Sequence, residues 1–339
     1  MSAPARSLFS PAAARRANQL GLKLGRPNLE EFADTLLGLA RADRNVIAVT
    51  SDSRGSGKLG PFGQALPAQI VEVGIAEQNL VGVAAGLASA GKTVFAVSPA
   101  CFLTARSLEQ IKNDVAYSDN PVALVGISAG VSYGALGTTH HSLHDLAALR
   151  AINNLEIIVP ADNFETREAV LAAARLGRPV YLRFGKAPVY TLHRPDAVFE
   201  VGRALTLREG CDVAFLATGE TVAHAVLAAA ELAEQDGVSC RVISLPTIKP
   251  LDTACIRRAA TECSVVITVE EHMVNGGLGE ACAGVILQAG ARPVFKIVGI
   301  PDEYTVTGSQ ADIFAHYGIS MEGLAATARA LLESRSASV

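Results

Sequence analysis

The chain has 339 residues, half of them hydrophobic and 18% charged, with a formal net charge of −4. That length and apolar content suit two domains of ordinary size, each with a sizeable core. The charge balance argues against nucleic acid or an anionic membrane as the main partner, and no apolar run reaches the ~18–20 residues of a membrane span.

The first 27 residues are rich in Ala and Arg, with no acid before Glu30. They read as a flexible tail, with a transit peptide as the alternative for such a composition. Asn28 is placed to cap a helix through about Arg44, with Glu30 and Glu31 in its first turn. Strand-like runs follow at Val46–Thr50, Ile70–Val73, Thr93–Val97, Val122–Ile127, Ile157–Val159 and Val180–Arg183. Helical patterns separate most of them, at Ala76–Ala90, Thr104–Tyr117, Leu143–Ile152 and Asn163–Leu176. Short apolar strands alternating with helices predict a parallel sheet covered on both faces. The rhythm breaks over Ala187–Val201, which holds Pro188 and Pro195. A second α/β series then begins at Cys211–Ala217. It continues through a helix from about Thr221 to Gln235, Cys240–Ser244, a helix from Asp252, Val265–Val269, a helix after Gly279, Val294–Val298 and a closing helix, Met321–Leu332. The expected fold is α/β with two doubly wound domains, over 28–190 and 202–339. Residues 191–201 form the linker and 1–27 the tail.

Cys101, Cys211, Cys240, Cys255, Cys263 and Cys282 are scattered without the close pairs of zinc or redox sites. They read as reduced core residues of a cytoplasmic protein.

In residues 74–91, GIAEQNLVGVAAGLASAG, one carboxylate stands where a turn becomes a helix. Gly82, Ala84, Ala85, Gly86, Ala88 and Ala90 would let another backbone approach that helix closely. Glu77 complements the helix dipole at such a position. Its neighbours Val71, Val73, Ile75, Leu80, Val81 and Val83 form an apolar setting that favours a protonated, hydrogen-bond-donating carboxyl. Other candidates fall after strands, where open α/β sheets bind ligands. Asp52 lies in the polar loop Thr50–Ser53. Phe102 sits between a strand and a helix, where a ring could stack on a flat ligand. The loop Gly130–Asp145 carries His140, His141 and His144 among glycines and threonines. His140 and His144 are four apart, the spacing of one helical face, but a metal site would need further ligands and none is close in sequence, so hydrogen bonding or proton transfer is the better reading. Asp162 can cap the following helix, and Arg183 and Lys186 flank Gly185 as possible phosphate ligands. No GxGxxG follows a strand and no GxxxxGK[ST] occurs.

Together GIAEQ, the Phe102 segment, GTTHH, VPAD and EEHMVNGGLGEA resemble the C-terminal half of transketolase, from about Asn28 to the end. The nearest likeness is to split transketolases, with this chain as the second subunit. Deoxyxylulose-phosphate synthase and the β subunits of 2-oxoacid dehydrogenases are similar in architecture, and a non-catalytic scaffold of the same fold is the reading from another class. The resemblance implies a pyrimidine-binding domain and a C-terminal domain. It implies thiamine diphosphate as cofactor, bound between chains, with ketol transfer between a ketose phosphate and an aldose. Glu77 then matches the glutamate that hydrogen-bonds the pyrimidine nitrogen and favours the imino tautomer, the form that takes the thiazolium proton. Phe102 matches the ring stacked on the pyrimidine, with Asp52 also assigned to the cofactor. His140 matches a family histidine facing substrate hydroxyls, with His141 also assigned to the substrate, and Arg183 resembles a phosphate-binding arginine. An Asp common in the family four residues before His140 is here Leu136, and a second family histidine is Ser128, so the resemblance does not by itself imply an ordinary pentose-phosphate role. The GDG…N motif that binds diphosphate and Mg²⁺ is missing and is expected on a partner subunit. Self-association is expected through the pyrimidine-binding domain.

Overall fold

The computed structural model describes residues 7–336. In the first domain seven strands form one sheet. Their order is Thr247–Lys249, Glu156–Ile158, Val180–Phe184, Val122–Ile127, Thr93–Pro99, Val46–Thr50 and Ile70–Glu72. All neighbours are parallel except the first pair. In the second domain the order is Val294–Ile300, Val265–Met273, Val213–Ala217, Cys240–Ser244 and Leu205–Arg208, with only the last strand antiparallel. Both sheets are therefore mostly parallel α/β, as the alternating pattern predicts.

The side-chain period of two explains why the central strands read as continuous apolar runs. Ile47, Val49, Val94, Ala96, Val122 and Leu124 enter one core layer. Val46, Ala48, Phe95, Val97, Ala123 and Val125 enter the layer on the opposite face. The helix Glu77–Ser89 closes the first layer with Leu80, Val81, Ala84, Ala85 and Ala88. That same layer runs on into the second domain through Ala214, Leu216, Ile243 and Leu245, so the two domains share apolar core.

The strand Thr247–Lys249 belongs by sequence to the second domain but extends the edge of the first domain's sheet. Polar bonds tighten the seam. Val159 N donates to Pro246 O (2.7 Å), Gly219 N donates to Val159 O (3.1 Å), and the Ser244 hydroxyl donates to Glu165 (2.7 Å).

Three expectations differ from what is found. The supposed tail has a defined structure from residue 7 onward; residues 1–6 lie outside the described residues. Pro11–Gln19 is a helix capped by Ser10, and Leu8, Phe9, Ala13 and Ala17 are buried. Its alanines are small enough to seat it on the helix Thr221–Asp236, and Phe9 stacks on His224 at 4.8 Å. Leu24–Pro27 then pairs antiparallel with Pro188–Tyr190. Second, the helix expected over Thr104–Tyr117 is two. Ala100–Arg106 ends at Ser107, whose φ of −114° and ψ of 25° are not helical, and winding resumes from Leu108. Third, the helix expected over Leu143–Ile152 spans only Asp145–Arg150.

Candidate active site

Glu77, Phe102, His140 and Asp52 all follow carboxyl ends of neighbouring parallel strands, at one edge of the first sheet. Ile70–Glu72 leads to Glu77, the first residue of its helix, where the side chain is 5% exposed. Asp52 is exposed, with a left-handed φ of 52°. Glu72 ties the two loops together, accepting from Asp52 N (2.7 Å) and Gly74 N (3.0 Å). Among the described residues no side-chain partner gathers Asp52 to the other candidates.

Glu77 does not face an apolar wall alone. Arg106 Nη1 donates to both of its carboxylate oxygens, at 2.9 and 3.0 Å. The same guanidinium lies over the Phe102 ring, 4.3 Å from the centroid. Phe102 and Arg106 are four residues apart on one helix, the spacing that places them on a common face. The apolar sequence around Glu77 therefore misleads on one point: in this chain the acid is neutralised by a cation, and both oxygens are engaged. An open cleft of about 550 Å³ is lined by Ile75, Ala76, Glu77, Gln78, Asn79 and Arg106.

A row of rings extends from there. The His140 ring packs edge-on against Phe102 (5.3 Å) and against Tyr133 (5.4 Å). Its Nδ1 lies 2.9 Å from the Thr139 hydroxyl. The Lys186 ammonium lies over Tyr133, 4.6 Å from the ring centre. Burial and the neighbouring Lys58 charge lower the Lys186 pKa from its ordinary value. Leu136 stands on the same loop with 56% of its surface exposed, while Ser128 is fully buried with φ 54°.

Two expected substrate ligands lie elsewhere. His141 is 3% exposed and its Nε2 meets Gly134 O at 2.9 Å. Burial lowers its pKa, so it braces the loop as a neutral ring. His144 is separate from His140 because the stretch between them is not helical and bridges Gly130 through Ser142, and its Nε2 meets the Thr104 hydroxyl at 3.3 Å. Arg183 is likewise no open phosphate ligand. It is 6% exposed, pairs with Asp145 (2.8 Å), and donates to the carbonyls of Ser142 (3.0 Å) and Glu271 (2.9 Å). Burial opposes the Asp145 carboxylate, but Arg183 outweighs it and holds the pKa below the usual range. Arg183 points into the strand-buried seam because its period-two position faces the second domain. Lys186, three residues on, is the exposed cation.

Sequence reading missed Arg106, Tyr133 and a buried carboxyl pair behind the His140 loop. Glu271 accepts from Val131 N (2.7 Å) and from Gln310 Nε2 (2.9 Å), and the same amide reaches Glu220 at 3.5 Å. Burial pushes Glu271 up to about 7, and burial with the nearby Glu271 charge pushes Glu220 up to about 8. The i, i+4 spacing of Phe102 and Arg106 was a usable signal; nothing local marked the other two. Asp162 caps its helix as expected, accepting from Glu165 N at 3.0 Å. Its second oxygen meets His193 Nδ1 (3.0 Å), and Glu165 meets the other ring nitrogen (3.1 Å). These partners outweigh burial and raise His193 to about 10. Among the described residues no group of three or more His, Cys, Asp and Glu side chains is gathered as for a metal ion.

Residues 29–190 match the family model "Transketolase, pyrimidine binding domain" and residues 202–324 match "Transketolase, C-terminal domain". The chain is 50% identical over 301 residues to an apulose-4-phosphate transketolase subunit from Phocaeicola vulgatus, covering 88% of this chain and 95% of that one. It is 39% identical over 281 residues to the corresponding apulose-4-phosphate transketolase subunit from Actinobacillus succinogenes, covering 83% and 90%. Among solved structures, a split-gene transketolase described as an inactive β4 tetramer superposes with a TM-score of 0.82. That match has 33% identity and covers 91% of this chain and 99% of that one. The chain belongs to the transketolase family, and it is the part of such a transferase that carries the pyrimidine-binding and C-terminal domains.

Proposed function

We propose that the chain is the second subunit of a split, thiamine-diphosphate-dependent transketolase, moving a two-carbon ketol unit from a ketose phosphate to an aldehyde acceptor. The observation that carries this reading is Glu77. It is a nearly buried carboxylate at a helix start, with a stacking ring alongside, at the mouth of an open cleft. The Glu77 carboxylate on that cleft and the Phe102 ring beneath Arg106 beside it fit the pyrimidine end of thiamine diphosphate, which wants one carboxylate and one aromatic face. When bound, the cofactor supplies the nucleophilic carbon. Glu77 holds the proton at the pyrimidine nitrogen, Phe102 orients the ring, and Asp52 borders the same edge of the sheet.

His140 faces substrate hydroxyls, and Lys186 takes the role expected of Arg183, binding substrate phosphate as a point charge. Leu136 offers no hydrogen bond where the family often has an Asp, which supports a donor other than a straight-chain pentose phosphate. The names of the two relatives point to apulose 4-phosphate as that ketose. Mg²⁺ and the diphosphate belong to the partner subunit. A second copy of this chain is expected on the helix Glu77–Ser89, where a Cβ added at Gly82 or Gly86 would meet nothing within 4 Å.

The test is reconstitution. The chain alone should show no ketol transfer, and mixing it with a partner carrying GDG…N, thiamine diphosphate and Mg²⁺ should give activity on apulose 4-phosphate. Activity of this chain without any partner, or none with a partner under all acceptor conditions, would refute the reading.

A further inference from the structure

The contacts that the proposed function assigns to the cofactor's pyrimidine are already made by a side chain. Arg106 presents a flat, delocalised cation. One face lies over Phe102 at 4.3 Å, and one edge donates to both oxygens of Glu77. A stacked aminopyrimidine with an N–H donor toward Glu77 would need the same ring face and the same carboxylate. The two groups cannot occupy that place together.

We propose that Arg106 is a placeholder for the pyrimidine: it seals Glu77 before the cofactor arrives and must swing out when the cofactor binds. This rests on the reading of Glu77 as the pyrimidine's partner. The placement of Arg106 makes the movement feasible. It is the last residue of the helix Ala100–Arg106, directly before the break at Ser107, and its side chain is 49% exposed. A route to solvent is therefore open. Glu77, by contrast, is 5% exposed on a helix packed into the core, so the acid stays fixed while the cation moves.

The placeholder has opposite effects in two states. In the chain without cofactor it compensates a nearly buried carboxylate, which would otherwise carry an unpaired charge. In the assembled enzyme it competes with the ligand, and the apparent affinity falls by the fraction of molecules whose site is clear. An Arg that merely held the local structure would stabilise both.

Arg106→Ala and Arg106→Gln should be prepared, and thiamine diphosphate with Mg²⁺ titrated by calorimetry into the enzyme assembled with its partner subunit. Both variants should bind the cofactor more tightly than wild type, by about 3–10-fold, while the melting temperature of the chain without cofactor falls. Arg106→Lys keeps a charge but loses the planar fork, so its affinity should lie between. Unchanged or weaker cofactor binding in both neutral variants would overturn the proposal. Glu77→Gln, run in parallel, separates the two levels. It should weaken cofactor binding; if it does not, the underlying assignment of Glu77 is what fails.

Discussion

Replacing Arg183 by Met should unfold the seam between the domains rather than weaken substrate binding. Asp145 is fully buried and takes its compensating charge from Arg183 at 2.8 Å, with the Tyr181 hydroxyl (2.8 Å) as its other close donor. Removing one partner of a buried pair leaves an uncompensated charge, a cost of about 3–5 kcal/mol. The carbonyls of Ser142 and Glu271 lose a donor as well. At roughly 2–4 °C per kcal/mol for domains of 150–250 residues, the melting temperature should drop by about 6–20 °C. Differential scanning calorimetry of the reconstituted enzyme reads the loss, and steady-state kinetics at low temperature reads the function that survives. The double variant Arg183→Met/Asp145→Leu should recover a large part of the loss, because an apolar pair of similar volume is often tolerated in place of a buried ion pair. A drop under about 2 °C, with KM for the phosphorylated substrate raised tenfold or more, would refute the argument and return Arg183 to the phosphate.

Lys186→Ala should do the reverse, raising KM for phosphorylated substrates about tenfold, the cost of roughly one charge-assisted contact, with kcat within about twofold; steady-state kinetics with a phosphorylated and an unphosphorylated ketose checks it. Alkaline pH should loosen the fold. His193 is raised to about 10, so the stability from its pairing is complete below its unfolded pKa and is lost as pH climbs through about 10. Glu220 and Glu271, raised to about 8 and about 7, are favoured in the protonated form and lose that contribution as pH rises through those values. Thermal melts should therefore fall between about pH 4.5, the ordinary value of the two carboxyls, and about pH 10, by up to about 1.4 kcal/mol per pH unit for each group titrating, and a flat profile would contradict these pairings. Gly185→Ala should destabilise by about 1–3 kcal/mol as an overpacked site, since its Cβ would fall 2.2 Å from the Glu220 carboxylate; denaturant melts read it directly.

The sequence made the architecture legible because both sheets are parallel and covered, so each strand announces itself as a short apolar run between helices. What escaped was non-local. The strand Thr247–Lys249 has no pattern of its own and exists because it completes the other domain's sheet. The Ala-rich segment Pro11–Gln19 resembles a disordered tail until its small face meets the helix Thr221–Asp236. At the site, Glu77, Phe102 and His140 stood out by position after strands, and they do come together along one edge. Arg183 and His141 looked equivalent to Lys186 and His140 by composition alone. Which of each pair is left accessible and which is buried depends on strand phase and loop path, and those are fixed only by packing against the second domain. The charge state around Glu77 was likewise invisible, because its neutralising partner comes from a different helix, 29 residues away.

The most direct test is the turnover of Glu77→Gln in the enzyme reconstituted with its partner, thiamine diphosphate and Mg²⁺. Gln keeps the side chain's shape and leaves no uncompensated charge in a nearly buried site, so the melting temperature should stay near that of the wild type. Turnover should fall by about 10²–10⁴, the range for losing a positioned proton-holding group. Turnover equal to wild type in a cofactor-loaded, folded variant would contradict the account.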